Sequence, residues 1–213
     1  MKVKIFEFNP IRENTYIAYD KTKECVIIDP GCFFQEERSE FLDFIVDNDL
    51  VVKHLLNTHM HFDHIFGNEF IYEQFHLLPE GNKGDEFLLE QMPLQMEMFG
   101  FKNDGYKAPK IGKYLKENDI VTFGNQRFIV LEVPGHSPGH IVFYNQEAGC
   151  VFAGDVLFRG SIGRTDLAGG NHQQLIDGIK GKLLTLPGDT VIYSGHGPLT
   201  TIREEIRSNY YLQ

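Results

Sequence analysis

The sequence predicts an α/β fold in which two packed sheets carry helices on their outer sides. Three observations point there. Apolar runs of strand length alternate with amphipathic helical stretches. Strands followed by a helix occur in both halves of the chain, which suits a two-layered sandwich. Residues of metal-ligand type stand just after several strands, where open α/β sheets gather their functional groups.

Lys2 to Phe8, Asn14 to Tyr19 and Cys25 to Asp29 read as a three-stranded meander, closed by Pro30-Gly31. Gln35 to Asn48 reads as a helix. Phe41, Leu42, Ile45 and Val46 mark its inner face, and acidic residues in its first turn suit the helix dipole. Val51 to Leu56 is a short apolar run that predicts a buried strand, and Ile65 to Phe75 predicts a helix. Residues 77–118 then break the pattern and form a lid-like insertion in a single domain spanning residues 1–213. Within it, Pro79 to Gly84 predicts a loop, Glu86 to Phe99 a helix interrupted at Pro93, and Gly100 to Pro109 an irregular stretch. Met92, Met96 and Met98 suit either an adaptable pocket or plain packing, and packing is expected for most of them.

Strands resume at Ile120 to Phe123 and Arg127 to Val133, a hairpin about Gly124-Asn125, and at Ile141 to Tyr144 and Cys150 to Ala153. Asn171 to Leu184 predicts a helix with Leu175, Ile176, Ile179 and Leu183 facing inward. Thr190 to Tyr193 predicts another buried strand. Thr201-Ile202-Arg203-Glu204 fits a capping box that opens the last helix.

Composition narrows the function. The chain has 213 residues, 42% of them hydrophobic, and a net charge of −10. That balance, with no dense Lys/Arg run, argues against nucleic acid as a partner. No apolar run is long enough for a transmembrane helix, so no membrane partner is expected. The N-terminus lacks a signal-peptide apolar region, so a cytoplasmic location is expected. Cys25, Cys32 and Cys150 are too scattered for a disulfide framework. Cys32, in a turn, is expected to serve packing or to lie near a site. Nothing in the sequence fixes an oligomeric state.

The chemistry concentrates in Asn57-Thr58-His59-Met60-His61-Phe62-Asp63-His64, between a strand and a helix. In extended backbone, side chains two apart point the same way, so His59 and His61 can share one ion. Asp63 and His64 open the helix and aim at a neighbouring point. Imidazole nitrogen and carboxylate oxygen suit zinc, and iron or manganese also accept them. His136, Asp155 and His196 each follow a glycine at a strand end. Four apolar strands each ending in His or Asp are better explained by convergence on one point than by turn chemistry.

Thr58-His59-Met60-His61-Phe62-Asp63-His64, with Pro134-Gly135-His136, Gly154-Asp155 and Gly195-His196-Gly197, resembles the metallo-β-lactamase superfamily from Asp29-Pro30-Gly31 to His196. The resemblance implies an αββα sandwich with two divalent metal ions, zinc first among the candidates. His59, His61 and His136 would hold one ion. Asp63, His64 and His196 would hold the other, and Asp155 would bridge them. Pro134 to His140 and Gly163-Arg164-Thr165-Asp166-Leu167 further resemble the glyoxalase II branch, the hydroxyacylglutathione hydrolases, in a short form without their C-terminal helical domain. The implied reaction is hydrolysis of a small-molecule thioester by a metal-bound hydroxide. Asp63 would orient the nucleophile and take its proton. His140 is expected beside the ligands rather than among them. Arg164 suits a clamp on a substrate carboxylate or an ion pair with Asp166, and the ion pair is favoured. Phe66 and Tyr106 are expected to close over the substrate. A persulfide dioxygenase using one iron, which resembles the Gly163–Asp166 stretch, is the alternative. A metal-binding module without turnover is the alternative from another class.

Overall fold

The computed structural model describes residues 1–102, 106 and 108–213, so the irregular stretch expected over Gly100 to Pro109 lies partly outside the described residues. Two six-stranded sheets face each other. The first contains β1 (Lys2–Phe8), β2 (Glu13–Tyr19), β3 (Glu24–Ile28), β4 (Val51–Leu56), β5 (Pro79–Gly81) and β6 (Lys113–Tyr114), in that spatial order. The meander β1–β3 is antiparallel, and β3 to β6 run parallel. The second sheet contains β7 (Ile120–Phe123), β8 (Gln126–Glu132), β9 (Ile141–Asn145), β10 (Cys150–Gly154), β13 (Val191–Ser194) and β14 (Thr200–Thr201), in the order β14-β13-β10-β9-β8-β7. Its one parallel pair is β10 with β13. A small hairpin, β11 (Leu157–Phe158) with β12 (Ser161–Ile162), stands apart.

Period-two alternation builds the layers. In β3, Val26 and Ile28 join Tyr16, Phe128, Phe143 and Phe152 between the sheets. Cys25 and Ile27 face the other way, under α1 (Gln35–Asp47) and α3 (Asn68–Phe75), with Phe41, Ile45 and Phe70. On the far side, Val142 and Val151 meet Leu175, Ile179 and Ile202 from α6 (His172–Gly178), its π-helical continuation Ile179–Leu183, and α7 (Ile202–Ser208). The layers therefore run helix, sheet, sheet, helix. The three cysteines are free and buried, and Cys32 packs in the cluster under α1 and α3.

Several local expectations are corrected. Val46 is 69% exposed, so the inner face of α1 is carried by Phe41 and Ile45, with Leu42 and Phe44 half-buried beside them. Strand β4 is fully buried only at Leu55 and Leu56; Val52 is half-buried against the cluster under α1 and α3, and Val51 is exposed. The segment from Ile65 to Phe75 is not one helix. It divides into α2 (Phe62–Ile65) and α3, because the Gly67 N–H donates to the Pro30 carbonyl at 2.7 Å. Pro79 to Gly81 is a short strand rather than a loop, held between β4 and β6. Helices α4 (Glu86–Glu90) and α5 (Met92–Met98) divide just before Pro93, which stands in the first turn of α5. Thr201 caps α7 by accepting the Glu204 N–H. The Glu204 carboxylate instead pairs with Arg207, so only half of the capping box forms.

Candidate metal centre

The ends of β3, β4, β8, β10 and β13 meet at one rim of the sandwich. Asp29 follows β3, the loop 57–64 follows β4, His136 follows β8, Asp155 follows β10, and His196 follows β13. Three groups of ligand atoms come within 4.8 Å of one another: His59, His61 and His136; Asp63, His64 and His196; and Asp29, His59 and His64. The first two are the groups that the resemblance implied. The Asp155 carboxylate lies between them, its Oδ2 3.6 Å from His136 Nε2 and 3.6 Å from His196 Nε2, and its Oδ1 3.4 Å from His64 Nε2. Asp63 Oδ2 is 3.2 Å from His196 Nε2.

Outer contacts fix which nitrogen each ring turns inward. His136 Nδ1 donates to the Arg164 carbonyl at 2.8 Å, and His196 Nδ1 to the Arg12 carbonyl at 3.2 Å. His64 Nδ1 lies 3.2 Å from Asp29 Oδ2. Each therefore presents Nε2 to the centre. His61 presents Nδ1, 2.8 Å from His136 Nε2. His140 does not join them. Its Nε2 accepts the Asp155 N–H, and its ring stacks on His59 at 4.6 Å.

The donor set fits divalent cations. His59 Nε2, His64 Nε2 and Asp155 Oδ1 are buried and have no hydrogen-bond partner among the described residues. Buried polar atoms are rarely left so. Burial holds His59 well below the usual imidazole value, pushes His61 down to about 3 and lowers His136, so these rings keep free lone pairs. For Asp155, burial opposes ionisation, but His196 and His64 hold its carboxyl well below the usual range. Burial also opposes charge on His64, yet Asp155 and Asp63 raise its proton affinity well above the ordinary value. Buried negative charge thus collects here, and among the described residues no Lys or Arg pairs with Asp29, Asp63 or Asp155. Backbone shape matters too. A Cβ on Gly195 would fall 2.2 Å from Asp155 Oδ1 and 2.6 Å from His64 Cε1.

Two carboxylates absent from the predicted set support the loops. Asp29 accepts from Thr58 N at 2.7 Å and Thr58 Oγ1 at 2.6 Å. The signal that singled out Asp155, an aspartate at the end of an apolar strand, also marks Asp29. Asp85 accepts from Met60 N, Ser137 Oγ and Gly139 N. Burial pushes Asp85 up to about 6 against those bonds. Nothing in its sequence context announces this, because its partners are far away in the chain.

A cavity of about 380 Å³ opens on the centre, with His61, Asp63, His136, Asp155 and His196 in its lining. Arg164 lines it too, but its guanidinium is held by Asp166 through contacts of 2.8 and 2.7 Å. Two expected substrate contacts are corrected. Phe66 is fully buried and packs in tilted and edge-on contacts among Phe33, Phe62 and Phe101, and it is absent from the cavity lining. Tyr106 donates its hydroxyl to the Ile65 carbonyl and is likewise absent from the lining. Met92 and Met96 are buried in the packing, whereas Met98 lines the cavity.

Residues 9–196 match the family model of the metallo-beta-lactamase superfamily. The hydroxyacylglutathione hydrolase GloC of Haemophilus influenzae is 38% identical over 213 residues, covering 100% of this chain and 98% of that protein. The crystal structure of BLEG-1 B3 metallo-beta-lactamase superposes with a TM-score of 0.89 at 34% identity, over all of both chains. That of TTHA1623 in a di-iron-bound form gives 0.85 at 36% identity, over 98% of this chain and 100% of that one. Sequence, fold and converging ligand groups agree, and the chain belongs to the metallo-beta-lactamase superfamily of metal-binding hydrolases.

Proposed function

We propose that this protein hydrolyses a small-molecule thioester at a centre holding two divalent cations. The observation that carries the reading is the placement of Asp155 between two complete ligand groups, within 3.6 Å of His136 on one side and of His196 on the other. His59, His61 and His136 would hold one cation, Asp63, His64 and His196 the second, and Asp155 both. The likeness to GloC and to a di-iron protein supports the bond and the stoichiometry.

Bound cations supply Lewis acidity, polarising the carbonyl and lowering the pKa of water towards neutrality. The chain's own groups do the rest. Asp63 reaches the cavity with its carboxylate beside His196 and is placed to orient a water molecule and take its proton. Burial raises the proton affinity of Asp63, but His64 and His196 lower it further, so Asp63 stays ionised and able to accept. The Arg164–Asp166 pair lines the cavity and holds the loop whose Arg164 carbonyl accepts from His136. His140 holds the Asp155 backbone, and so the carboxylate, in register.

Elemental analysis and an assay on lactoylglutathione test the reading on one sample. About two equivalents of metal with thiol release are expected, and Asp155→Ala is expected to lose second-cation occupancy together with at least ~99% of the activity. One equivalent of iron without thiol release would overturn the thioesterase and favour a mononuclear iron oxygenase. Cleavage of a β-lactam without thiol release would overturn it in favour of the activity in the name of BLEG-1.

A further inference from the structure

The cavity over the centre has a charged floor, the Arg164–Asp166 ion pair in its lining, and otherwise uncharged walls. Helices α4 and α5 form one wall with Leu88, Leu94, Met98 and Phe99, and Phe62 and Leu167 face it. Leu94 and Met98 are 56% and 68% exposed, yet they belong to the mouth of a concave site rather than to scattered surface. Two uncharged amides, Gln91 and Gln95, also line it, and Gln95 Nε2 donates to the Leu88 carbonyl at 3.1 Å. Among the described residues, Arg164 is the one Lys or Arg in the lining, and Asp166 already holds it by two short contacts. A carboxylate seated against these walls, away from the centre, gives up its hydration without gaining a free cation. Glutathione carries two carboxylates and an ammonium. The chain itself has a net charge of −10, which adds a repulsive field for anions.

From this lining we infer that the thioester hydrolysed here carries an uncharged apolar arm, seated against Leu94 and Met98, in preference to a glutathione arm. The inference rests on the thioester reading and adds the substrate class. The scissile carbonyl lies over the ligand residues, and the apolar arm runs along α5 towards the mouth. Burial of that arm supplies binding through removal of apolar surface from water.

The test uses the metal-loaded full chain with two readouts. The first is kcat/KM on the hexanoyl thioester of N-acetylcysteamine and on lactoylglutathione. The second is calorimetric binding of two thioethers that cannot be hydrolysed, S-hexyl-N-acetylcysteamine and S-methylglutathione. The apolar member is expected to lead at least ~10-fold in both readouts. Leu94→Lys and Met98→Lys, at exposed positions the fold tolerates, are expected to cut that ratio at least ~10-fold. Equal or better use of lactoylglutathione, or a ratio unmoved by both variants, would overturn the apolar arm and leave the thioester reading intact. Tight binding of the hexyl thioether without turnover of any thioester would uphold the apolar wall and overturn the hydrolase reading. Metal content of each variant, measured alongside, separates a changed wall from a lost centre.

Discussion

Asp85, buried, and Asp155, half-buried at the cavity, are aspartates near the same histidines, and they do different work. Asp155 faces imidazoles and keeps one oxygen without a partner. Asp85 spends its carboxylate on backbone and hydroxyl donors. Met60, between His59 and His61, is one of these donors, and Ser137, beside His136, and Gly139, beside His140, are the others. One side chain thus sets the spacing of two ligand loops far apart in sequence. Asp85→Ala would strand three buried donors, at a cost of about 2–4 kcal/mol. It is also expected to weaken metal binding about 10–100-fold, the usual effect of removing a group that orients ligands. Competition with a chelator measures the second effect and urea unfolding the first. Unchanged affinity in a folded variant would show that the loops hold their spacing without it. Residues such as His59 and Asp155 were legible in the sequence because ligand-type side chains at strand ends are rare for packing alone. Asp85 was not, since an acidic residue in a turn is ordinary until its partners are known. Phe66 misled because a large aromatic beside the ligand motif suits a substrate contact and a core position equally.

The break between α2 and α3 is the element-scale feature with most bearing on the centre. It turns the chain so that Asp63 and His64 stand on a short helix of their own. Gly67 allows the turn. A Cβ there would lie 2.6 Å from Cys32 Sγ and 2.8 Å from the Pro30 carbonyl oxygen. Gly67→Ala is expected to destabilise the fold by roughly 1–3 kcal/mol, as overpacking does. It should also lower occupancy at the Asp63–His64–His196 group more than at the other. A thermal melt and metal titration of the variant check both, and wild-type behaviour in each would remove Gly67 from the account. The periodicity of residues 65–75 favours one continuous helix, so the interruption was invisible until Pro30 was placed against it. The meander, the hairpin and α1 were legible because each carries its own period and its own turn residues. The two-residue strands β6, β11, β12 and β14 were not, because tertiary pairing alone makes them strands.

At the scale of the molecule, the sheets are tied at both ends. At the rim that carries the centre, Asn14 N donates to the Gly195 carbonyl at 2.7 Å and Asn14 Nδ2 to the Ser194 carbonyl at 3.0 Å. Elsewhere Asp20, after β2, accepts from Thr22 in its own turn and from Asn125 N and Gln126 Nε2 in the β7–β8 turn of the other sheet. Burial disfavours the Asp20 carboxylate, but these bonds outweigh burial and hold Asp20 well below the usual range. Its folded value lies below its unfolded one, so its contribution is present above about pH 4 and is lost as pH falls through the folded value. Asp20→Asn is therefore expected to flatten the acid side of the stability curve, with the gap to wild type largest near neutral pH. Urea midpoints from pH 3 to 7 measure this, and parallel curves would refute it.

The two ligand groups on either side of Asp155 also draw on both halves of the chain. His59 and His61 follow a strand of the first sheet, and His136 follows one of the second. Asp63 and His64 belong with the first sheet, and His196 with the second. Neither group can assemble until the sheets have met, and contacts of such sequence separation form late and slowly. A cation caught there acts as a rivet driven after the plates are aligned. It should slow their separation far more than it speeds their meeting.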